Sequence, residues 1–435
     1  MRTSRMLVAL LVLTASGADG STLRVPAEYA TVQGAIDHAA YGDTVLVAAG
    51  SHTASEVRTI YYYGIPYAAR SCAFLKAGVT VASEGGSGVT ALDMAGLGHD
   101  TVAAVVIAFN QPEGPVHLEG FTLTGAALGG QGVHAHDSGL LTVRDCIIED
   151  FDGSSRGAAG GFHATRSPIE IYDSAFRRCR GTSGGGLIAH ESDVLVEGCL
   201  FEECDTGLHA WAITGSNSIT VRNSRFERNT TSGIRKGNQM HFALIEDCWF
   251  ADNTSAAGLQ ALSIYSGPIT VQRCVFVNNS SVSDGAALKW QAASSVIQYS
   301  TFVSSATLGG GTHGSAIKMI SGGNVTLTGN ILAGSTGAPA LLVGSNVNLS
   351  DSCNLFWNNA DGDVQGVELD ASTVFADPEF CSPELRDFTV AKDSPCLTTE
   401  GCDTIGALGN GCDPISITPD TWANIKARFR GNASE

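Results

Sequence analysis

The stretch GVHAHDSG, residues 132–139, sets His134 and His136 two residues apart with Asp137 beside them. Residues two apart on a strand share a face, so both imidazoles would project together. Neutral imidazoles ligate zinc, copper or nickel, and His163 is the natural third ligand for His134 and His136, although this spacing matches no recognised zinc motif. Acid–base chemistry is a second reading, with Asp137 and Glu191 as carboxylates and Arg166 between them. A third is recognition: His134, His136, His163, His190, His209, Trp211, Arg235, Tyr265 and Lys289 would form a strip that stacks on sugar faces and contacts hydroxyls or carboxylates. The plainest alternative is an outer sheet face on which such residues are tolerated.

A repeat must position them. VHLEGFTL, LTVRDCII, IEIYDSAF, VLVEGCLF, ITVRNSRF, ALIEDCWF, ITVQRCVF, SVIQYSTF and VTLTGNIL recur every 24 to 30 residues, and a degenerate copy ends near Phe356. Each unit holds three short alternating runs separated by Gly, Asn, Asp or Ser, which reads as three strands and three turns. No run has helical periodicity, so the unit is one coil of an all-β solenoid. Phe201, Phe226, Phe250 and Phe276 should stack inside. Three residues after the aromatic come Asn229, Asn253 and Asn279, a pattern that builds hydrogen-bonded ladders, while Cys179 and Cys204 hold that place in the two preceding coils.

Aligning the coils creates the strip. Its first outward column reads His134, His163, Ile188, His209, Arg235, Ser263, Lys289, Lys318; its second reads His136, Thr165, His190, Trp211, Gly237, Tyr265, Gln291, Ile320. Lys236 breaks an otherwise apolar inward column, which makes the register near 235 the weakest point of the alignment. Asp137 and Glu191 stand two coils apart, about 9.6 Å at ~4.8 Å per coil, bordering the carboxylate separation of inverting glycosidases. A carboxylate–guanidinium–carboxylate ladder explains the same three residues, and Glu197, Arg222 and Glu246 form another such row.

The coils, together with the opening TVQGAIDHAAYGDTVLVAAGSHT and FLKAGVTVASEGGSGVTALDMAG, resemble the right-handed parallel β-helix proteins of the pectate-lyase-like superfamily. The resemblance implies an all-β, right-handed parallel β-helix of ten to twelve coils. It also implies a short N-terminal capping helix, with Thr31 as N-cap and Val32, Ala35, Ile36 and Ala39 as its apolar stripe, and a Cys-rich C-terminal cap. Activity does not follow from the fold, which hosts lyases, hydrolases, esterases and adhesins. The Asn-Thr-Asp-Gly and Gly-His-Gly motifs of polygalacturonases are absent, so no catalytic residue is transferred. An enzyme of this kind would be a polysaccharide lyase or a glycoside hydrolase. No cofactor is required by the sequence, and a divalent metal would enter only through the histidines.

Arg2 and Arg5, the apolar run from Met6 to Leu13 and the small residues from Ala15 to Ala18 have the layout of a signal peptide. The expected organisation is a signal peptide over 1–18, a β-helix over 19–375, a Cys-rich closing segment over 376–412 and a tail over 413–435. In that tail Trp422, Ile425 and Phe429 share a helical face that suits a cap or a retention signal. A net charge of −18 argues against nucleic acid or an anionic membrane as partner, and no later run is apolar enough for a transmembrane helix. Twelve cysteines in an exported chain permit disulfides. Cys381, Cys396, Cys402 and Cys412 allow three pairings, while Cys179–Cys204 and, less strongly, Cys248–Cys274 fit the coil spacing. The expected partner is extracellular polysaccharide, bound and on a further reading processed along the strip. The rivals are a non-catalytic surface or adhesin-like solenoid and a metal-dependent site on the histidines.

Overall fold

The computed structural model describes residues 20–412, except 63, 96–101, 112–113, 126–128, 155–158, 216, 238–239, 257–258, 283–284, 292–293, 309–314 and 321. The expected signal peptide and the tail with Trp422, Ile425 and Phe429 lie outside the described residues. Successive coils contribute one strand to each of three sheets, of 13, 13 and 14 strands. Nearly all strand pairs are parallel, as a coil joined to the next coil requires.

Two corners of each coil are turned by a single left-handed residue. Gly120, Asp145, Asp173, Gly198, Asn223, Asp247 and Arg273 follow the first-sheet strands, and Gly125, Asp150, Arg178, Glu203, Arg228, Asp252 and Asn278 follow the second-sheet strands, all with positive φ. Gly, Asn and Asp adopt this conformation at low cost. Arg178, Arg228 and Arg273 do so because the corner is imposed by the coils above and below, and each guanidinium then reaches an acidic residue of the preceding coil.

Inside, Phe176, Phe201, Phe226, Phe250, Phe276 and Phe302 form one column of parallel rings with centroids 4.6 to 5.1 Å apart. The Asn ladder is present: Asn229 Nδ2 donates to Asn253 Oδ1 and Asn253 Nδ2 to Asn279 Oδ1, both at 3.0 Å. A second ladder, absent from the sequence reading, runs at the first-sheet corner, where Asn330 Nδ2 donates to Asn354 Oδ1 at 3.0 Å and Ser174, Ser224 and Ser300 continue the row. Both ladders pair buried amides that the corners leave without sheet partners.

The cysteine expectations need correction. Cys179 and Cys204 are free buried thiols, as are Cys248 and Cys274. Each thiol donates to backbone carbonyls instead, Cys179 to Ile148 O at 3.5 Å and Cys204 to Phe176 O at 3.6 Å. Burial pushes the Cys146 and Cys199 thiols up to about 12, which leaves them unreactive. The bridges are Cys381–Cys412 and Cys353–Cys402. Cys402 therefore leaves the expected set of four to pair with the solenoid's last coils, and Cys396 stays free.

Helix Val32–His38 covers the first coil, capped as expected by Thr31, whose side chain accepts from Gly34 N at 3.0 Å. The Cys-rich segment runs back along the outer face of the second sheet. There Phe388 packs with Val275, Val277 and Val303, and Arg386 pairs with Asp252 at 2.7 Å. One departure from the coils matters for function: strands Glu56–Tyr62 and Ile65–Ser71 pair antiparallel as a hairpin beside the third sheet.

Candidate functional site

The third sheet carries the strip in the expected register. His134 pairs across strands with His163, His163 with Ile188, Ile188 with His209, His209 with Arg235, Arg235 with Ser263, Ser263 with Lys289 and Lys289 with Lys318. The uncertain register at 235 holds. Lys236 points inward between Ala210 and Ile264 and is buried. Its Nζ donates to the carbonyls of Met240 and Ser266, and burial pulls its pKa down to about 8.

Exposure is where the strip departs from expectation. His134, His136 and His209 face away from the core yet are 7%, 0% and 8% exposed. Tyr62 of the hairpin and Phe109 of the preceding third-sheet strand cover the first two. The Tyr62 ring lies 4.2 Å from His136, and Phe109 meets His134 edge-on at 4.8 Å. His209 is covered by the preceding turn, where its Nδ1 donates to Ser183 O at 2.6 Å. Tyr62, Phe109 and Ser183 were missed because they lie outside the aligned repeat. The signal that would have found the hairpin is YYYGIPY, an aromatic run broken by Gly64 at positive φ.

Burial makes the histidines neutral. It lowers His136, His163 and His209 to about 4 and holds His134 well below its ordinary value, with the neighbouring imidazoles adding to the effect at His134 and His163 and Arg235 adding to it at His209. His190 is lowered for the same reason, against the pull of Glu191. Burial thus disfavours the charged imidazole at these positions.

The metal triad does not assemble. His134 and His163 stack face to face at 5.1 Å and 8°, an arrangement that cannot aim both lone pairs at one ion, and His136 Nε2 accepts from Arg166 at 3.0 Å. Among the described residues no group of three His, Cys, Asp or Glu is placed to hold a metal. Of the acid–base candidates, Asp137 is engaged by Arg166. Arg166 grips Asp137 with two hydrogen bonds of 2.6 Å and holds its carboxyl below the usual range. Asp137, Arg166 and Glu191 line up because each is a left-handed residue at the end of its third-sheet strand. Arg166 and Asp137 make the first rung of the expected ladder. Arg222 and Glu246 likewise pair at 3.1 Å.

What remains half-exposed is the second column from His190 onward, flanked by the cations of the first. His190 and Trp211 stack at 5.0 Å, the Arg235 guanidinium lies 5.2 Å from the Tyr265 ring centre, and Lys289 and Lys318 follow. Such a floor offers ring faces for sugar C–H groups and cations for hydroxyls or carboxylates.

A family model described as "right handed beta helix region" matches residues 105–235, the coils that carry the histidines. With three parallel sheets already traced through those residues, the match decides the class. This chain is a right-handed parallel β-helix. No curated protein matches the β-helix in sequence. Among solved structures it is similar to the A-module of the Azotobacter vinelandii mannuronan C-5 epimerase AlgE6, at 13% identity over 80% of this chain and 94% of that one, with a TM-score of 0.40. It is similar also to the PL6 family alginate lyase AlyGC, at 10% identity over 91% of this chain and 59% of that one, TM-score 0.37. The Streptococcus pneumoniae surface protein and adhesin PfbA matches at 10% identity over 79% of this chain and 99% of that one, TM-score 0.34. At these identities the likeness is one of fold.

Proposed function

We propose that this β-helix is an exported protein that binds extracellular polysaccharide along the half-exposed column of the third sheet. The contacts are His190, Trp211 and Tyr265 as stacking and hydrogen-bonding groups, with Arg235, Lys289 and Lys318 alongside. The observation that supports this is the row of stacked, half-exposed rings and cations on one face, in register over successive coils. A polymer lying along the solenoid axis meets one such row per ~4.8 Å, so several sugar units would be engaged at once. Covered by Tyr62 and Phe109, His134 and His136 support the fold at one end of the column and do not contact the ligand. Two of the similar structures are named for enzymes of mannuronan and alginate and one for an adhesin; at fold-level likeness these names illustrate the possible roles of a β-helix. A glycan array combined with a release assay on acidic and neutral polysaccharides tests the reading. Binding without released product supports a recognition module, and product release makes it an enzyme. Silence in both assays sinks the proposal in favour of a spacer or surface solenoid.

A further inference from the structure

The two ends of the solenoid differ. At the N-terminal end Val32, Ala35 and Ile36 of the capping helix are buried against the first coil. At the other end the sheets finish with strands Val347–Ser352, Val364–Gln365 and Val374–Phe375, and no further strand pairs with them among the described residues. Phe375 follows Leu332 and Phe356 in the inward column and stacks on Phe356 at 6.0 Å, yet it is 63% exposed. Val364, Val367 and Leu369 of the same mouth pack on the core and are only partly buried. The short helix Pro395–Thr398 does not cover them, because its Cys396 packs with Ile331, Ala333 and Leu355 on the flank of the second sheet. Open strand edges and an unclosed core are what stacked coils need capped.

The mouth carries charge as well as an apolar floor. It is a depression of about 550 Å³ whose charged lining residues are Asp363, Glu368 and Asp370. Residues 413–435 lie outside the described residues, and their sequence supplies the complement. Trp422, Ile425 and Phe429 share a face at helical spacing, with Lys426 and Arg430 along one border of it and Arg428 along the other. Thr418 and Pro419 suit an N-cap and first turn, and Gly431 suits a stop. The point of departure also fits. Cys412 is bridged to Cys381. Residues 413–418 reach about 20 Å when extended, which is also the most that residues 375–381 can put between Phe375 and Cys381. A second cleft, beside Trp249 and Leu385, carries Arg225, Arg273 and Arg386 against Asp247 and Asp387, so its charge does not favour a cationic helix.

We propose that residues 419–430 form an amphipathic helix that closes the C-terminal mouth of the solenoid in the same chain. Trp422, Ile425 and Phe429 cover Phe375, Val364 and Leu369, while Lys426, Arg428 and Arg430 face the carboxylates of Asp363, Glu368 and Asp370. Apolar burial supplies most of the stabilisation, since exposed ion pairs contribute little. The charges select this end of the molecule and set the orientation of the helix. So placed, the helix plays the part that Val32–His38 plays at the other end, and it removes edges on which a second copy could add strands. The assignment is independent of the polysaccharide column.

The test uses the full chain. Carbodiimide cross-linking of a mixture of unlabelled and isotope-labelled protein, followed by peptide mass mapping, should join Lys426 to Glu368 or Asp370 within one chain. Links between labelled and unlabelled chains would show that a second copy fills the mouth and would overturn the proposal. Hydrogen exchange gives the second readout. Trp422→Ser combined with Phe429→Ser should speed exchange in residues 363–375 at least about tenfold, with the strand around Phe226 unchanged. Glu368→Lys with Asp370→Lys should speed it less, and adding Lys426→Glu and Arg428→Glu should restore protection. Equal exchange in wild type and the serine variant would mean that the mouth is uncovered, and the proposal would fall. If the second charge reversal does not restore protection, the pairing of this helix with the acidic rim is overturned.

Discussion

At the scale of single residues, the histidines that look like ligands are mostly structural, and this fixes a pH dependence. His209 titrates near 4 in the folded chain, lowered by burial and by Arg235, against an ordinary value of 6.5. Between those values the unfolded chain holds more protons, so stability is lost as pH falls from about 6.5 toward 4 and is fully present above that window. At pH 5 the loss is about 2 kcal/mol for a group shifted this far, and His163 titrates in the same range. Urea unfolding at pH 7.5 and 5.0 should show a lower midpoint at pH 5.0, and His209→Gln should shrink the difference. Equal midpoints would mean that these imidazoles are solvated.

At the scale of elements, the coils were legible because one turn of chain costs a nearly fixed number of residues and repeats its inward aromatic. Phe226 is fully buried between Phe201 and Phe250, at 4.8 and 5.1 Å. Phe226→Ala should cost about 3–5 kcal/mol, measured by chemical unfolding; a change under about 1 kcal/mol would place that ring outside the core. Outward alternation was equally readable, because register alone decides which face a side chain takes. Coverage of that face was not. His136 faces outward as the sequence says, yet it is buried because a hairpin from residues 56–71 folds over it. Nothing in the coil repeat encodes where an excursion lands. The same limit hid Ser183, whose carbonyl accepts from the buried His209. It also misled the cysteine reading: coil spacing admits a Cys179–Cys204 bridge, but carbonyl partners satisfy both thiols without one.

At the scale of the whole molecule, the solenoid is a rigid ruler closed by a helix at one end and tied along one flank by the segment that ends at Cys412. The Cys353–Cys402 bridge spans 49 residues and Cys381–Cys412 spans 31, and loops of these sizes are worth about 4 kcal/mol each in chain entropy. Reduction should therefore raise hydrogen exchange first in residues 375–412 and leave the Phe column protected; simultaneous loss of both would show that the closing segment is integral to the solenoid. The rigid third sheet then presents its rings and cations at fixed spacing, which is the basis of the binding proposal. Hydroxyl-radical footprinting with and without a uronate-containing polysaccharide examines that proposal most directly, because it reads the contact surface without altering the protein. Trp211 and Tyr265 should be protected by the polymer, while the exposed Tyr41 and Trp357 elsewhere on the chain keep their reactivity. Protection at Trp357 or Tyr41 with Trp211 and Tyr265 unchanged would contradict the account.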